Sequence, residues 1–368
     1  MPARGFWGRA VAVVLGVVVA TTGCTGPAAP STSAPATASS VSSGVPATGS
    51  APATAEASPT QAAPLTLTVM SFNILTGRND CAGCKAVKRA GLGKELKLGA
   101  RMPQVAKKIA LAGADIIGFQ ENEGPGRLPQ SYLAGLLRDY TWVQPTRTVP
   151  MAVRSSRFQV VASGIETIEA RRQRCTSSDK TDGRYATWAR LRDRASGNEF
   201  LVYNTHLHPY DTSRCAKLRS ANIKKLTSLM ARKNPGRVLP QVVTGDFNAS
   251  GDEKRKAFST HLTGLAKAGL VDTARVAARD ASDVKRADCA GRMTATVKGK
   301  TRVKVIRRSD TYIDYVWVSK GSRVASWAVQ SGPGVKYRKI SGVKVPTWTG
   351  VMASDHSPVV ARVTLPSA

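Results

Sequence analysis

Six apolar runs in this chain break on a short polar group, and each break carries a carboxylate, an amide or an imidazole. Ser71-Phe72-Asn73 follows Leu65 to Val69, Gln120-Glu121 follows Ile116 to Phe119, and Asn204-Thr205-His206 ends a run from Phe200. Gly245-Asp246-Phe247-Asn248 closes Val242-Val243-Thr244, Ile313-Asp314-Tyr315 opens another run, and Ser354-Asp355-His356-Ser357-Pro358 opens Val359 to Val363. Alternating or wholly apolar runs of this length read as strands. Side chains collected at strand ends can converge on one site although they are scattered from Asn73 to His356. Within Gly-Asp-x-Asn, Asp246 and Asn248 fall on the same side of an extended segment.

The runs occupy residues 65–368, and what precedes them has a different character. Arg4 and Arg9 flank a small and aliphatic stretch, Ala10 to Ala20, whose length suits a secretory segment and is short for a membrane-spanning helix. Thr21-Thr22-Gly23-Cys24 follows and resembles a bacterial lipobox, with Thr21 where Leu is usual. Residues 1–23 therefore read as a signal peptide of lipoprotein type, with lipid on Cys24 as the sole membrane attachment; simple secretion is the alternative. Between residues 25 and 64 all but Val41, Val45, Glu56 and Gln61 are Ala, Ser, Thr, Pro or Gly. Such a stretch buries too little apolar surface to offset its ordering entropy, so residues 24–64 are expected to be a disordered tether. Extended, it spans on the order of 100 Å at ~3.1 Å per residue. The expected setting is bacterial and extracellular, with a monomeric catalytic head at residues 65–368.

The formal net charge is +30, of which Arg4, Arg9 and Glu56 contribute +1, leaving +29 on residues 65–368. An excess of this size predicts an anionic partner by long-range attraction. Nucleic acid, wall polyanions and anionic lipid all qualify, and solubility or a basic proteome is the bland reading. Removal of Cys24 leaves Cys81, Cys84, Cys175, Cys215 and Cys289. Export favours disulfides. Cys175 and Cys215 are expected to pair; Cys81 and Cys84 bond to each other or one of them reaches Cys289, and one Cys stays free. No second Cys or His pair lies near enough to favour zinc.

Along the head, strands are expected at Leu65–Val69, Ala114–Phe119, Met151–Val153, Phe158–Ile168, Arg184–Arg192, Phe200–Thr205, Gln241–Thr244, Ile313–Ser319, Ser322–Gln330 and Ser357–Thr364. Helices are expected at Met102–Ala112, 129–138, Ser213–Arg232 and 252–268, with Thr212 or Ser213 capping the third. Residues 280–311 are polar, basic and loop-rich. Strands apolar on one or both faces, mixed with helices without strict alternation, suggest two packed sheets with helices outside.

Each polar motif alone is weak: a Glu after a strand is often only a strand end, and a lone His is more often packed or exposed than catalytic. Taken together and in order, the six motifs resemble the endonuclease/exonuclease/phosphatase superfamily, and the resemblance spans essentially all of residues 65–368. It implies a four-layer α/β sandwich, two packed mixed β-sheets flanked by helices, with the active site at one edge. It also implies a metal-dependent phosphoesterase in which Glu121, Asn73 and Asp355 serve the metal, Asp246 and Asn248 position water and hold phosphate, and Asp314 polarises His356. His206 would contact phosphate or protonate the leaving group. Oxygen ligands suit Mg²⁺, with Mn²⁺ or Ca²⁺ as alternatives, and phosphodiester hydrolysis needs such an ion, a positioned water and a proton for the leaving oxygen.

The departures narrow the choice. Abasic-site endonucleases of the superfamily carry Asp two residues after the first-strand Asn, where this chain has Leu75. The segment typical of inositol phosphatases is absent, and so is a plain exposed aromatic hairpin of sphingomyelinase type; Trp348 reads as core or substrate rim. Arg184 is a candidate phosphate contact or a surface ion pair. His208, Tyr210 and Asp211 either line the cleft or pack the loop, and the basic insert at 77–100 either grips a polyanion or is solvated. A secreted nuclease acting on DNA or RNA is the leading expectation. A phospholipid phosphodiesterase and a non-catalytic polyanion binder are the alternatives.

Overall fold

The structure is a computed structural model. It describes residues 64–77, 97–170, 173, 175, 183–210, 212–249, 260–282, 295–297, 303–305, 312–330, 335–340, 343–348 and 353–367. The lipobox, the tether, Cys81, Cys84, Cys289, Asp211 and most of the 77–100 insert lie outside these residues.

Ten strands follow the expected runs: β1 (Leu65–Asn73), β2 (Ile116–Gln120), β4 (Met151–Arg154), β5 (Phe158–Glu169), β6 (Arg184–Asp193), β7 (Glu199–His206), β8 (Gln241–Asp246), β12 (Asp314–Ser319), β13 (Arg323–Val329) and β16 (Val359–Leu365). Short additions are β3 (Tyr140–Val143), β9 (Leu270–Asp272), and two hairpins, β10 (Ala295–Val297) with β11 (Val303–Val305) and β14 (Val335–Ile340) with β15 (Val343–Trp348). The strands form two mixed six-stranded sheets, ordered β13-β16-β1-β2-β4-β3 and β5-β6-β7-β8-β12-β9. Period-two alternation divides the first sheet between two cores. Val69, Ile116, Met151 and Val359 face the second sheet, while Met70, Phe72, Ile117 and Ala152 face helices α1 (Leu98–Ala112) and α2 (Pro129–Leu136). Helix α3 (Ser213–Lys233) applies Ile223, Leu226, Leu229 and Met230 to the second sheet, joined by Leu265 of α4 (Thr260–Lys267) and by the short α5 (Thr273–Val276). The layers are helix, sheet, sheet, helix.

Helix α1 begins four residues before the expected Met102. Pro103 has the chemistry of a first-turn residue, yet the helix starts at Leu98 and runs through it to Gly113, which closes it at φ +58° with its N–H on Ala110 O and Ile109 O. Thr212 caps α3, its side chain accepting from Cys215 N at 3.2 Å. Only Thr260–Lys267 of the expected 252–268 helix lies among the described residues.

A buried polar seam joins the two sheets. Asn204 of β7 donates to the carbonyls of Phe119 at 2.7 Å and Pro150 at 3.0 Å, and its Oδ1 accepts from Gln120 Nε2 at 2.8 Å and Thr244 Oγ1 at 3.0 Å. Gly245 N donates to Ser71 Oγ at 3.1 Å. The sheets approach so closely here that a Cβ on Gly118 would overlap Thr244 Oγ1 and lie 2.6 Å from Asn204 Oδ1.

Cys175 and Cys215 form the expected disulfide, fastening the segment after β5 to the first turn of α3. Their sequence separation is 40 residues, for which chain entropy gives about 4 kcal/mol, with measured disulfides usually at about 2–4. Urea denaturation of a Cys175→Ser/Cys215→Ser variant is expected to show a loss of that size, with an m-value no lower than that of wild type because the freed unfolded chain is less compact. A midpoint equal to that of wild type would mean the bond contributes nothing.

Candidate active site

Strand polarity brings the six motifs to one edge. β1 and β2 run parallel and end together at Asn73 and Gln120, and β16 runs antiparallel to β1, so its start lies beside their ends. In the second sheet Asp246 ends β8 with His206 of β7 and Asp314 of β12 as its register neighbours on either side. One sheet supplies Asn73, Glu121 and His356, and the other supplies His206, Asp246, Asn248 and Asp314.

Asn73 links the halves. Its Nδ2 donates to Glu121 Oε1 and to Asp246 Oδ2, each at 3.0 Å, while its Oδ1 accepts from Leu75 N at 3.1 Å. It thereby orients two carboxylates of the site. The second oxygen of Glu121 accepts from Thr76 N at 2.8 Å, and Asp246 Oδ1 accepts from Asn248 N at 2.9 Å. Asn248 Nδ2 lies 3.1 Å from His206 Nε2 and donates to Leu207 O at 3.0 Å. Three corners of the site are in the left-handed region without being glycine: Leu75 at φ 59°, Glu121 at 63° and Asn248 at 48°. Such residues cost ~1–3 kcal/mol each and persist where their surroundings over-determine them.

His356 follows a tight exit. Ser354 Oγ donates to Asn73 O at 2.6 Å and accepts from His356 N at 3.2 Å. His356 Nδ1 pairs with Asp314 Oδ2 at 2.9 Å, which leaves Nε2 directed at Asp246 Oδ2, 3.8 Å away. Burial alone favours a neutral imidazole, but the carboxylates of Asp314, Asp246 and Asp355 outweigh it and raise His356 to about 10. Burial raises Asp314 to about 7 against the pull of His356. Burial also raises Asp246, against His356 and the Asn73 hydrogen bond. His206 Nε2 stands 3.5 Å from Asp246 Oδ2 on the more open side. Asp355 is buried between Ser354 and His356, and its charge acts on His356.

The other candidates fall differently. Arg184 opens β6 near this edge, buried and opposite Glu169 in register. Tyr210 is half-buried, and its carbonyl accepts from Arg219 at 2.8 Å. His208 does not line a cleft: it is wholly buried, its Nε2 lies 2.6 Å from Glu169 Oε1, and Asn222 donates to the other Glu169 oxygen at 2.9 Å. The next-but-one residue after His206 thus turns inward and packs the loop. Arg101 is a participant that the sequence did not single out. It is fully buried, and its guanidinium donates to four carbonyls around the β1 exit and before Ser354.

The site suits a hard divalent cation. In a chain of net charge +30, the carboxylates of Glu121, Asp246, Asp314 and Asp355 collect at one edge. Ligand atoms of Asp246, Asp314 and His356 lie within 4.8 Å of one another, and Asp314 Oδ1 is buried with no hydrogen-bond partner among the described residues.

Residues 70–356 match the Endonuclease/Exonuclease/phosphatase family. The chain belongs to that family. Its members are hydrolases of phosphoester bonds and typically depend on a divalent metal, and a buried group of Asp246, Asp314 and His356 is present at the site. Among solved structures, an endonuclease/exonuclease/phosphatase family protein from Bacteroides thetaiotaomicron shares 18% identity at a TM-score of 0.59, over 82% of this chain and 98% of its own. The mannosyl-6-phosphatase Bt3783 of the same organism shares 18% identity at a TM-score of 0.58, over 81% of this chain and 99% of its own. The endonuclease/exonuclease/phosphatase from Bacteroides vulgatus shares 19% identity at a TM-score of 0.57, over 82% of this chain and 99% of its own. At these identities the structures establish the shared fold. No curated protein matches the sequence significantly.

Proposed function

We propose that this phosphoesterase is a divalent-metal-dependent nuclease that hydrolyses nucleic acid outside the cell with little sequence preference. The observation that carries the reading is the charge: residues 65–368 carry +29 together with an acidic site. The described surface gives part of that charge a place. Helix α3 has no Asp or Glu in its 21 residues, and Arg214, Lys217, Lys224, Lys225, Arg232 and Lys233 are exposed on it. The helix starts seven residues beyond His206 and rises ~1.5 Å per residue away from the site. Phosphate contacts of this kind supply non-specific affinity.

Glu121 and Asp355 would hold Mg²⁺, with Mn²⁺ or Ca²⁺ as substitutes, and the ion would neutralise phosphate charge. Asp246, with its basicity raised by burial, is suited to draw a proton from a water that Asn248 helps to place. His356, protonated and aimed by Asp314, offers its Nε2 proton to a developing oxyanion or leaving group, and His206 faces the same point from the other side. A phospholipid headgroup would gain little from so basic a surface, and a pure binder would not need Asp314 to hold His356.

The test is turnover of plasmid DNA, RNA, sphingomyelin vesicles, bis-p-nitrophenyl phosphate and p-nitrophenyl phosphate, in Mg²⁺ and in EDTA. Cleavage of nucleic acid and of the diester is expected, with loss in EDTA and recovery when Mg²⁺ is returned. Cleavage of lipid or monoester alone would overturn the nuclease reading. A Lys217→Ala/Lys224→Ala/Lys225→Ala variant is expected to bind nucleic acid more weakly and to reduce the slope of log K against log salt by about 2–3, while its turnover of bis-p-nitrophenyl phosphate stays at the wild-type rate. An unchanged slope would remove α3 from the contact surface. Export and lipid on Cys24 are part of the proposal; they predict membrane-fraction activity that moves to the soluble fraction on Cys24→Ser substitution.

A further inference from the structure

We propose that Arg101 is a positioning residue of the active site, a clamp that fixes the loop leaving β1 and the segment entering His356 relative to each other. Its Nη1 donates to Ile74 O at 2.7 Å and to Ala353 O at 3.1 Å. Its Nη2 donates to Leu75 O at 3.1 Å and to Thr76 O at 3.4 Å. One planar group therefore spans two chain segments that are remote in sequence. A guanidinium can do this because its N–H groups form a rigid fork; an ammonium is a point donor.

Both segments end on the site. Thr76 N donates to Glu121 Oε2 at 2.8 Å, so the carbonyls that Arg101 grips belong to the loop that holds Glu121. Leu75, in the middle of that loop, is in the left-handed region at φ 59°. Ala353 leads into Ser354, whose hydroxyl bonds both Asn73 O and His356 N. The guanidinium thus fixes where Glu121 stands relative to His356. Burying a cation is costly, and burial lowers Arg101 to about 10, with Asp355 and Glu121 acting in the opposite direction. It remains charged at neutral pH, and the acidic site above it is what makes the burial tolerable.

The inference rests on the phosphoesterase reading, and its test separates the two. Arg101→Lys keeps the charge and loses the fork; Arg101→Met loses both. Three quantities are measured for each: kcat and KM on bis-p-nitrophenyl phosphate, Mn²⁺ affinity by calorimetry, and thermal unfolding. If Arg101 positions the site, both variants lose kcat about 10–100-fold with KM within about twofold, and both bind Mn²⁺ at least several-fold more weakly while still unfolding cooperatively. Wild-type kcat and Mn²⁺ affinity in Arg101→Lys would overturn the clamp in favour of charge alone, as would tighter Mn²⁺ binding in Arg101→Met. Should the variants fail to fold, hydrogen exchange of the wild type decides. The amides of Ile74–Thr76 and of Ser354–His356 must then open with one common free energy, and independent opening would overturn the proposal. A wild type inert on every phosphoester would refute the functional reading, while the Mn²⁺ and exchange measurements would still judge the clamp.

Discussion

Replacing His356 with Ala is expected to reduce turnover of bis-p-nitrophenyl phosphate by about 10²–10⁴-fold, the range for losing a positioned acid-base group. The imidazole is held by Asp314 at 2.9 Å and directs its other nitrogen at Asp246, 3.8 Å away. Asp314→Asn should cost less, because it leaves the ring in the site while weakening its orientation and charge. A His356→Ala variant that keeps more than a tenth of wild-type turnover would remove this residue from the reaction. The same pair makes the metal-free fold sensitive to pH. His356 stands at about 10 in the folded chain against an ordinary 6.5. Its contribution to stability is therefore fully present below about pH 6.5 and is lost as pH rises through about 10. Asp314, raised to about 7 from 3.8, acts in the same direction over the lower window. In EDTA, wild-type unfolding temperature should fall more steeply between pH 7 and 10 than that of His356→Ala. Parallel curves would mean that the pair holds no extra proton.

Gly118→Ala is expected to be among the most damaging single-methyl changes in the protein. The added carbon would overlap Thr244 Oγ1 and stand 2.6 Å from Asn204 Oδ1, both buried in the seam between the sheets. Moving either side chain breaks buried hydrogen bonds. Overpacking at ~1–3 kcal/mol and an orphaned buried amide or hydroxyl at ~1–3 kcal/mol together give a loss of about 3–5 kcal/mol, a large part of a typical domain's stability. Chemical denaturation measures it directly. A loss below about 1 kcal/mol would show that the sheets can part locally at little cost.

The site motifs were legible because each combines two local signals, an apolar strand and a chemically specific residue at its end. Pairing Asp246 with both Asp314 and His206 needed the strand order and register as well, which the structure supplies. Asn204 was visible as part of Asn-Thr-His, but its work in joining the sheets was not, since an amide reads the same whether it faces substrate or a neighbouring carbonyl. Arg101 was hidden for a similar reason: it sits between a basic insert and an amphipathic helix, where a Lys or Arg is ordinarily solvated, and the apolar spacing that marks the helix begins only at Met102. His208 stayed open between cleft and loop packing because proximity in sequence to His206 says nothing about which way a loop residue turns. The strands Tyr140–Val143 and Leu270–Asp272 escaped notice as edge strands of three or four residues, too short to display a period.

The pairing of Leu65 with Leu365 ties the first strand of the head to a strand 300 positions later. Since His356 enters on that later strand, and Asp246 and Asp314 arrive on the opposite sheet, no fragment of the head owns a working set of groups. A truncated, nicked or half-docked chain keeps carboxylates but not their geometry. Enzymatic activity in this protein is therefore a report on completed assembly, and its recovery during refolding should coincide with the slowest docking step rather than with the appearance of secondary structure.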